Sequence, residues 1–568
     1  MNNSTGVFAT LSPGRKTCSW ASLIVLATCA CSGELLSPED ATEPVSAAPD
    51  GDSGGNAEEG DEDAPLDSAL ESSPTLLARL TNDEIIESVS RLLSISSDSP
   101  ELQQAAQSLP AEAIVDGLVN DARNQSFDQL AISGFDQLAT AASTVFLNGV
   151  SSIAELNNRL GCESSQPVET AECLETFGEA LIERGSRSGS SVEHLEHARA
   201  VLEAVDAIVS SQEQNVSAFD EYSLKVQSLI QYVVLSPKFL LMMESGESGE
   251  STEVDGTISL GEYEIASRLA YLLSGAPPDD VLLTIADSET LSDPAVRREQ
   301  VDRLLETQSG QARFVAALIG WLGIDPTLAN EADIEILFDF VLDWLATDKS
   351  FADFYSGGIE VEHLDGSASG SERFGILGSR AFVASHTSFP TPSFITRGIA
   401  VVESLLCSEL PDGIPAEAFS AGEQTAVEVF EVHSRNECAV CHQVFDNYGA
   451  LFQNFDPETL LYDPARKPFG DSFELYELGD VSGTVSDVGD FASLLGSSGQ
   501  AAQCIVELFY GLAVRRSLDK HSADANVVHR LTTAWLNTPE MSARALLREI
   551  VASEEFVQFV HPDEIDLN

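Results

Sequence analysis

The 568-residue sequence predicts a mainly α protein made of several small helical domains. After residue 75, apolar residues recur at the i, i+3, i+4 spacing of amphipathic helices, whereas alternating strand patterns are few and short. In the segment 76–93, Thr81 is a predicted N-cap with acidic residues in the first turn that follows it. The other predicted helices are 192–213, 219–243, 259–273, 293–306, 310–322, 331–347, 395–407, 499–516, 523–537 and 540–558.

The N-terminus has the pattern of an exported lipoprotein. Two basic residues precede an apolar run at 18–31, which has the length of a signal-peptide hydrophobic segment and is too short to span a bilayer. The run ends in Leu-Ala-Thr-Cys-Ala-Cys, which resembles a lipobox, so Cys31 or Cys29 is the predicted lipidated residue of a signal peptide at 1–31. An ordinary secretory signal is the alternative. We therefore expect a cell-envelope protein, in the periplasm or on the outer membrane, that is held to a membrane by lipid alone.

Residues 32–74 predict a disordered acidic tether. They are mostly Ser, Gly, Pro, Ala, Asp and Glu, a composition that cannot bury a core. The rest of the chain is predicted to form five helical domains. These are an N-terminal domain at 75–150, two domains at 155–247 and 256–356, a domain at 370–480 and a C-terminal domain at 490–562.

The charge of the chain limits its partners. A formal net charge of −63, from 92 acidic and 29 basic residues, argues against nucleic acid and anionic lipid as partners. A surface of this kind keeps a protein soluble in high salt, so we expect a saline habitat, with a calcium-rich or cationic partner as the alternative.

The most informative motif lies in the domain at 370–480 and reads Cys438-Ala439-Val440-Cys441-His442. C-x-x-C-H is the attachment sequence of c-type haem. Two cysteines at this spacing reach the two vinyl groups of a haem, and the histidine after them ligates the iron. The motif predicts a covalently attached haem c on Cys438, Cys441 and His442. The alternatives are a redox-active C-x-x-C pair, a structural zinc site and a plain disulfide.

Four cysteines remain outside the signal and the motif: Cys162, Cys173, Cys407 and Cys504. An even remainder in an exported protein predicts disulfides. Cys162 with Cys173 would close a short loop, and Cys407 with Cys504 would tie the segment before the motif to the segment after it. In a cytosolic protein all four would instead be free thiols.

Four stretches of the chain match the motifs of one protein family, and they occur in the same order as in that family. They are Arg79-Leu80-Thr81 with Glu84 and Arg91-Leu92-Leu93; Leu235–Leu240; Tyr263–Leu273 with Pro277–Asp280; and Gly375–Gly378 through Arg397-Gly398, Cys407 and the haem motif to Glu507 and Arg515. The chain thereby resembles the planctomycete-type cytochrome c family, whose large exported members are built of domains of unknown function. The resemblance implies a haem-bearing exported protein without naming an activity. Asp446-Asn447-Tyr448-Gly449 stands where the family has an Asp-Pro-x-Gly turn.

The sixth iron ligand is left open by the sequence. His433 lies five residues before Cys438, where the family also has a histidine, and His386 falls in a matched segment. Further candidates lie near or on the C-terminal helices: Met541, His521 and His529. An open sixth position would allow peroxide or oxygen chemistry.

These patterns support two functions of different classes. The first is electron transfer at the cell envelope by a c-type haem lipoprotein, with an unidentified redox partner. The second is a haem-free binding or scaffold lipoprotein in which Cys438 and Cys441 form a disulfide. No Ser-His-Asp order, Walker loop, H-E-x-x-H or G-x-G-x-x-G sequence indicates a different enzyme.

Overall fold

A computed structural model describes residues 77–112, 118–122, 127–162, 167–211, 216–244, 246, 257–359, 362–363, 373–387, 393–410, 425–435, 439–519 and 523–560. The predicted mainly α fold is confirmed. The predicted signal peptide, its candidate lipidation sites Cys29 and Cys31, the tether through residue 74, and Cys438 lie outside the described residues.

The helices follow one another along most of the described chain. They are α1 (Asn82–Leu93), α2 (Pro100–Ala106), α3 (Gln129–Leu147), α4 (Ile153–Arg159), α5 (Pro167–Ser186), α6 (Val192–Ser211), α7 (Ala218–Val234), α8 (Pro237–Leu240), α9 (Glu262–Ser274), α10 (Asp280–Asp287), α11 (Pro294–Leu305), α12 (Gln308–Trp321), α13 (Glu331–Ala346), α14 (Phe351–Ser356), α15 (Arg380–Ser385), α16 (Ser393–Ala400), α17 (Ala426–His433), α18 (Ala439–His442), α19 (Asp446–Ala450), α20 (Val488–Leu495), α21 (Gly499–Val514), α22 (Ala523–Leu536) and α23 (Ala543–Ala552). Short 3₁₀ turns occur at Gly375–Gly378, Leu451–Asn454 and Glu555–Val557, and a π turn at Val401–Leu405.

The described strands are short and form two-stranded antiparallel sheets. They are β1 (Ala78–Arg79), β2 (Leu241–Met242), β3 (Thr257–Ser259), β4 (Phe473–Leu478), β5 (Val481–Val485) and β6 (Gln558–Val560). Strand β1 pairs with β2, β3 with β6, and β4 with β5. The pairs β1–β2 and β3–β6 join segments that are far apart in sequence, whereas β4–β5 is a hairpin.

The described chain forms two compact units. The smaller comprises 147–181 and 192–233, and its core contains buried apolar residues of α5, α6 and α7. The larger comprises 77–146, 182–191 and 234–560. The division into five predicted domains stays a prediction.

The N-cap of α1 is as the sequence predicts. The Thr81 hydroxyl accepts a hydrogen bond from the Glu84 backbone N–H at 3.3 Å, and the Glu84 carboxylate accepts one from the Thr81 N–H at 2.8 Å. This reciprocal capping box satisfies two backbone donors that a helix start leaves without partners. The prediction of a helix beginning after Thr81 is confirmed.

Glu84 also belongs to a buried ion-pair network in the larger unit. Its carboxylate lies 2.8 Å from the Arg313 guanidinium of α12 and 2.6 Å from that of Arg515, the residue directly after α21. Burial alone would raise the pKa of Glu84, but the two guanidinium groups hold it at about 2. The network therefore links α1 to two helices that lie more than two hundred residues away in sequence.

Helix α3 is long and apolar enough to cross a membrane, by length and composition alone. Its Ala131, Phe135, Leu138 and Ala142 are buried in the protein interior. A helix that is partly buried in this way is also typical of the core of a folded domain.

Candidate functional site

The haem-motif segment is held against α16 by a close helix crossing. Gly398 of α16 lies so near the turn after α18 that an added Cβ would overlap the carbonyl oxygen of Phe445. A Cβ on Gly449 of α19 would likewise overlap the carbonyl oxygen of Phe394. Glycine at both positions lets the two backbones touch, and this contact fixes where the residues before α19 lie.

The hairpin β4–β5 supports the same segment from another direction. The buried Tyr448 hydroxyl donates to the carbonyl of Tyr476 at 2.7 Å, and the Asn447 side-chain amide donates to the carbonyl of Glu474 at 2.7 Å. Burial raises the pKa of Tyr448 well above its usual range, so the phenol stays protonated as a donor. Consecutive residues of α19 are thus tied to β4.

Three side chains of this segment converge on one carboxylate. His442 ends α18, His433 ends α17 and Asp446 begins α19. The Asp446 Oδ1 lies 3.1 Å from His442 Nδ1, and its Oδ2 lies 3.2 Å from His433 Nδ1. His442 and Asp446 are buried, and the centroids of the two imidazole rings are 3.7 Å apart. Among the described residues, these three form the group able to hold a metal ion.

The hydrogen bonds to Asp446 set the tautomer of both histidines. A carboxylate accepts only, so each Nδ1 must carry the proton that it donates. Neither Nε2 has a hydrogen-bond partner among the described residues. His442 therefore presents the lone pair of its Nε2, which is the arrangement of a metal-ligating histidine whose other nitrogen is held by a carboxylate.

The residues around His442 fit a haem. Cys441, directly before it, is half-buried and carries a free thiol. The Phe445 ring lies 5.0 Å from the His442 ring, and Phe394 lies 6.3 Å from that of His433. A covalently attached haem needs a nitrogen ligand for its iron, a thiol for its vinyl group and apolar side chains around its ring. The residues around His442 offer each of these. Cys438, the other predicted attachment residue, lies outside the described residues.

The two predicted sixth ligands are placed differently. His433 is packed against His442 and shares its carboxylate, so ligation of iron from the opposite face would require the His433 ring to leave this stack. The roles of both histidines as sixth ligand stay predictions.

His386 follows α15 and is held elsewhere. Its Nε2 donates a hydrogen bond to the Leu322 carbonyl at 2.8 Å, so the lone pair of the neutral ring is on Nδ1. Burial, together with the charge of Arg397, lowers the pKa of His386, so the ring is neutral. Met541 lies in the turn before α23, His529 lies on α22, and His521 is outside the described residues.

Two disulfides are present in the described chain. Cys162 is bonded to Cys173 in the smaller unit, and Cys407 is bonded to Cys504 in the larger unit. Both bonds are consistent with the predicted pairs. The second closes a separation of 97 residues and ties the chain after α16 to α21.

Sequence reasoning did not identify Asp446 as a site residue. Its position four residues after His442 was the available signal, because residues at that spacing lie on the same side of a helical segment.

The protein is mainly helical, and the histidine of its C-x-x-C-H motif has an Nε2 available for a metal. Two regions of the chain match known protein families. Residues 260–353 match PSD4, described as a protein of unknown function (DUF1592), and residues 373–459 match PSCyt3, described as a protein of unknown function (DUF1588). Both are domain families of planctomycete cytochrome c-like proteins, consistent with the resemblance seen in the sequence. No curated protein and no solved structure matches the chain.

Proposed function

We propose that this protein is an exported c-type cytochrome that transfers electrons at the cell envelope. Cys438 and Cys441 would hold the haem covalently, and His442 would be an axial ligand. The observation that carries the proposal is the His442–Asp446 pair, which leaves Nε2 of His442 available directly after a free cysteine. The match of residues 373–459 to a cytochrome c-like domain family supports the same conclusion.

The haem, when bound, supplies a reversible one-electron iron couple. Asp446 holds the His442 ring in one orientation and one tautomer, because it accepts the Nδ1 proton at 3.1 Å. A carboxylate at this position also makes the imidazole a stronger donor, which favours the ferric state. We therefore expect a lower reduction potential than a histidine bonded to a neutral acceptor would give.

The surrounding rings limit the access of water. Phe394, Phe430 and Phe469 pack on one another with centroids 5.0 to 5.3 Å apart, next to His433. Apolar walls of this kind lower the local dielectric constant and reduce the reorganisation that accompanies electron transfer. The site is therefore suited to passing electrons.

The location in the cell envelope is part of the proposal. The lipoprotein-like signal at 1–31 supports export, and disulfides persist in oxidising compartments such as the periplasm. The bonds Cys162–Cys173 and Cys407–Cys504 agree with such a compartment. We propose a lipid anchor on Cys31 or Cys29.

A haem-free scaffold lipoprotein is the second candidate. Its distinguishing feature would be a disulfide between Cys438 and Cys441. The bond from His442 Nδ1 to Asp446 favours the cytochrome over this candidate, because a scaffold disulfide needs no histidine that presents the lone pair of its Nε2.

Mass spectrometry of the mature protein, expressed with a haem-maturation system, tests the proposal. We expect the haem on the peptide that contains Cys438 and Cys441. We also expect a potentiometric titration of the protein to follow a reversible one-electron Nernst curve. A C162A/C173A variant is the matched control, because it also lacks a cysteine pair but should keep the haem. A haem-free peptide with a Cys438–Cys441 disulfide would support the scaffold instead.

A further inference from the structure

The buried arginines of the larger unit show a pattern with one exception. Seven arginines of the described chain are buried: Arg79, Arg187, Arg268, Arg297, Arg397, Arg515 and Arg516. Four of them pair with carboxylates: Arg79 with Glu112, Arg268 with Glu244, Arg515 with Glu84 and Arg516 with Asp524. Two donate to at least three backbone carbonyls each: Arg187 and Arg297. A buried guanidinium normally needs such partners, because an uncompensated buried charge is costly.

Arg397 has neither kind of partner among the residues that the structure describes. It is 3% exposed, and one terminal nitrogen donates to the Thr387 hydroxyl at 2.8 Å. Its Nε has no hydrogen-bond partner, and no acidic side chain among the described residues forms an ion pair with it. Burial lowers the pKa of Arg397 to about 9, and the nearby Arg466 adds to this effect. Among the seven buried arginines of the described chain, this lack of a described counter-ion or carbonyl partner is specific to Arg397.

Arg397 belongs to the helix pair that presents His442. The next residue, Gly398, touches the backbone of Phe445 and Gly449, which follow His442 in the chain. Arg466 is half-buried and donates to the carbonyl of Gln453, in the 3₁₀ turn after α19. Two cations without ion-pair partners among the described residues are therefore attached to this region. Arg397 lies on α16, which packs on α19, and Arg466 is bonded to the turn that follows α19.

We propose that Arg397, with Arg466 beside it, binds the propionate carboxylates of the haem. A haem carries two propionates, and a guanidinium binds a carboxylate with two parallel, charge-assisted hydrogen bonds. The cofactor would then supply the counter-ion that Arg397 lacks among the described residues. This inference rests on the proposed function.

The test compares R397Q in two forms of the full-length mature protein. One form is loaded with haem, and the other is the haem-free C438A/C441A variant. In the haem-free form, R397Q removes an uncompensated buried charge, so its melting temperature should equal or exceed that of its parent. In the haem-loaded form, R397Q should lower the melting temperature and also lower the reduction potential, because a positive charge near the haem favours the ferrous state.

R297Q is the matched control, since Arg297 is buried and bonded to protein carbonyls. It should lower the melting temperature in both forms and leave the reduction potential unchanged. If R397Q behaves like R297Q, Arg397 has a structural role and the proposal is wrong.

A second variant covers the case in which R397Q does not fold. R466Q replaces a half-buried residue, and we expect it to lower the reduction potential of the haem-loaded protein. An unchanged potential in every haem-loaded variant of Arg397 and Arg466 that folds would overturn the proposal. A wild-type protein that carries no haem would instead contradict the proposed function itself.

Discussion

Replacement of Glu84 by glutamine tests the buried network that joins α1 to α12 and α21. The pKa of Glu84 falls from 4.5 to about 2, although burial opposes this, because Arg515 and Arg313 lie 2.6 and 2.8 Å away. That difference corresponds to about 3 kcal/mol of unfolding free energy at neutral pH. E84Q also leaves the guanidinium groups of Arg313 and Arg515 without their shared carboxylate, so we expect a loss of roughly 3–5 kcal/mol.

The pH dependence follows from the direction of the pKa shift. Because the folded-state pKa lies below the unfolded one, the stabilisation is complete above about pH 5 and is lost as the pH falls from 4.5 towards 2. Denaturant titrations of the wild type and E84Q at pH 7 and pH 3 measure this. At pH 3 the difference between them should fall to roughly half or less of its value at pH 7.

The matched control is E87Q on the same helix. Glu87 forms a half-exposed pair with Arg91, so its loss should cost about 0.5 kcal/mol or less. An E84Q protein that is destabilised by less than about 1 kcal/mol at pH 7, or equally at both pH values, would refute the reasoning.

Three further predictions concern the site and its support. Under the proposed function, D446N should raise the reduction potential of the haem by about 60 mV, the one-electron equivalent of ~1.4 kcal/mol, because the proposed axial histidine loses a carboxylate acceptor; a potentiometric titration that shows no rise would contradict this. G398A should reduce stability by about 3 kcal/mol in denaturant titrations, because its Cβ would overlap a backbone carbonyl, whereas G499A, whose Cβ finds ordinary contacts, should change little. C407A/C504A should lower the unfolding free energy by about 3–5 kcal/mol, since the bond closes a separation of 97 residues, and reductant should cause the same loss in a C162A/C173A protein, where this bond alone remains of the two.

Local features of the fold could be predicted because they depend on neighbouring residues. The start of α1 follows from Thr81 and Glu84, which satisfy each other's backbone groups within one turn. The end of α9 follows from Gly275, whose φ of 64° is the left-handed conformation that glycine adopts freely. The hairpin β4–β5 was missed, although Gly479-Asp480 between two short runs is a hairpin signal.

The candidate site could be predicted only in part. The C-x-x-C-H spacing indicates Cys441 and His442, because haem attachment depends on residues adjacent in sequence. That Asp446 accepts from both histidines depends on how α17 and α19 meet, which the sequence does not specify. That Arg397 has no acidic partner among the described residues is likewise a property of the packed chain, because it depends on which side chains the fold brings to it.

The pyridine haemochrome spectrum of the mature protein, expressed with a haem-maturation system, tests the central claim most directly. We expect a c-type absorption band that survives denaturation in the wild type, and no such band in the C438A/C441A variant. A wild-type protein without this band, or a band that persists unchanged in the variant, would contradict covalent attachment of haem at the motif.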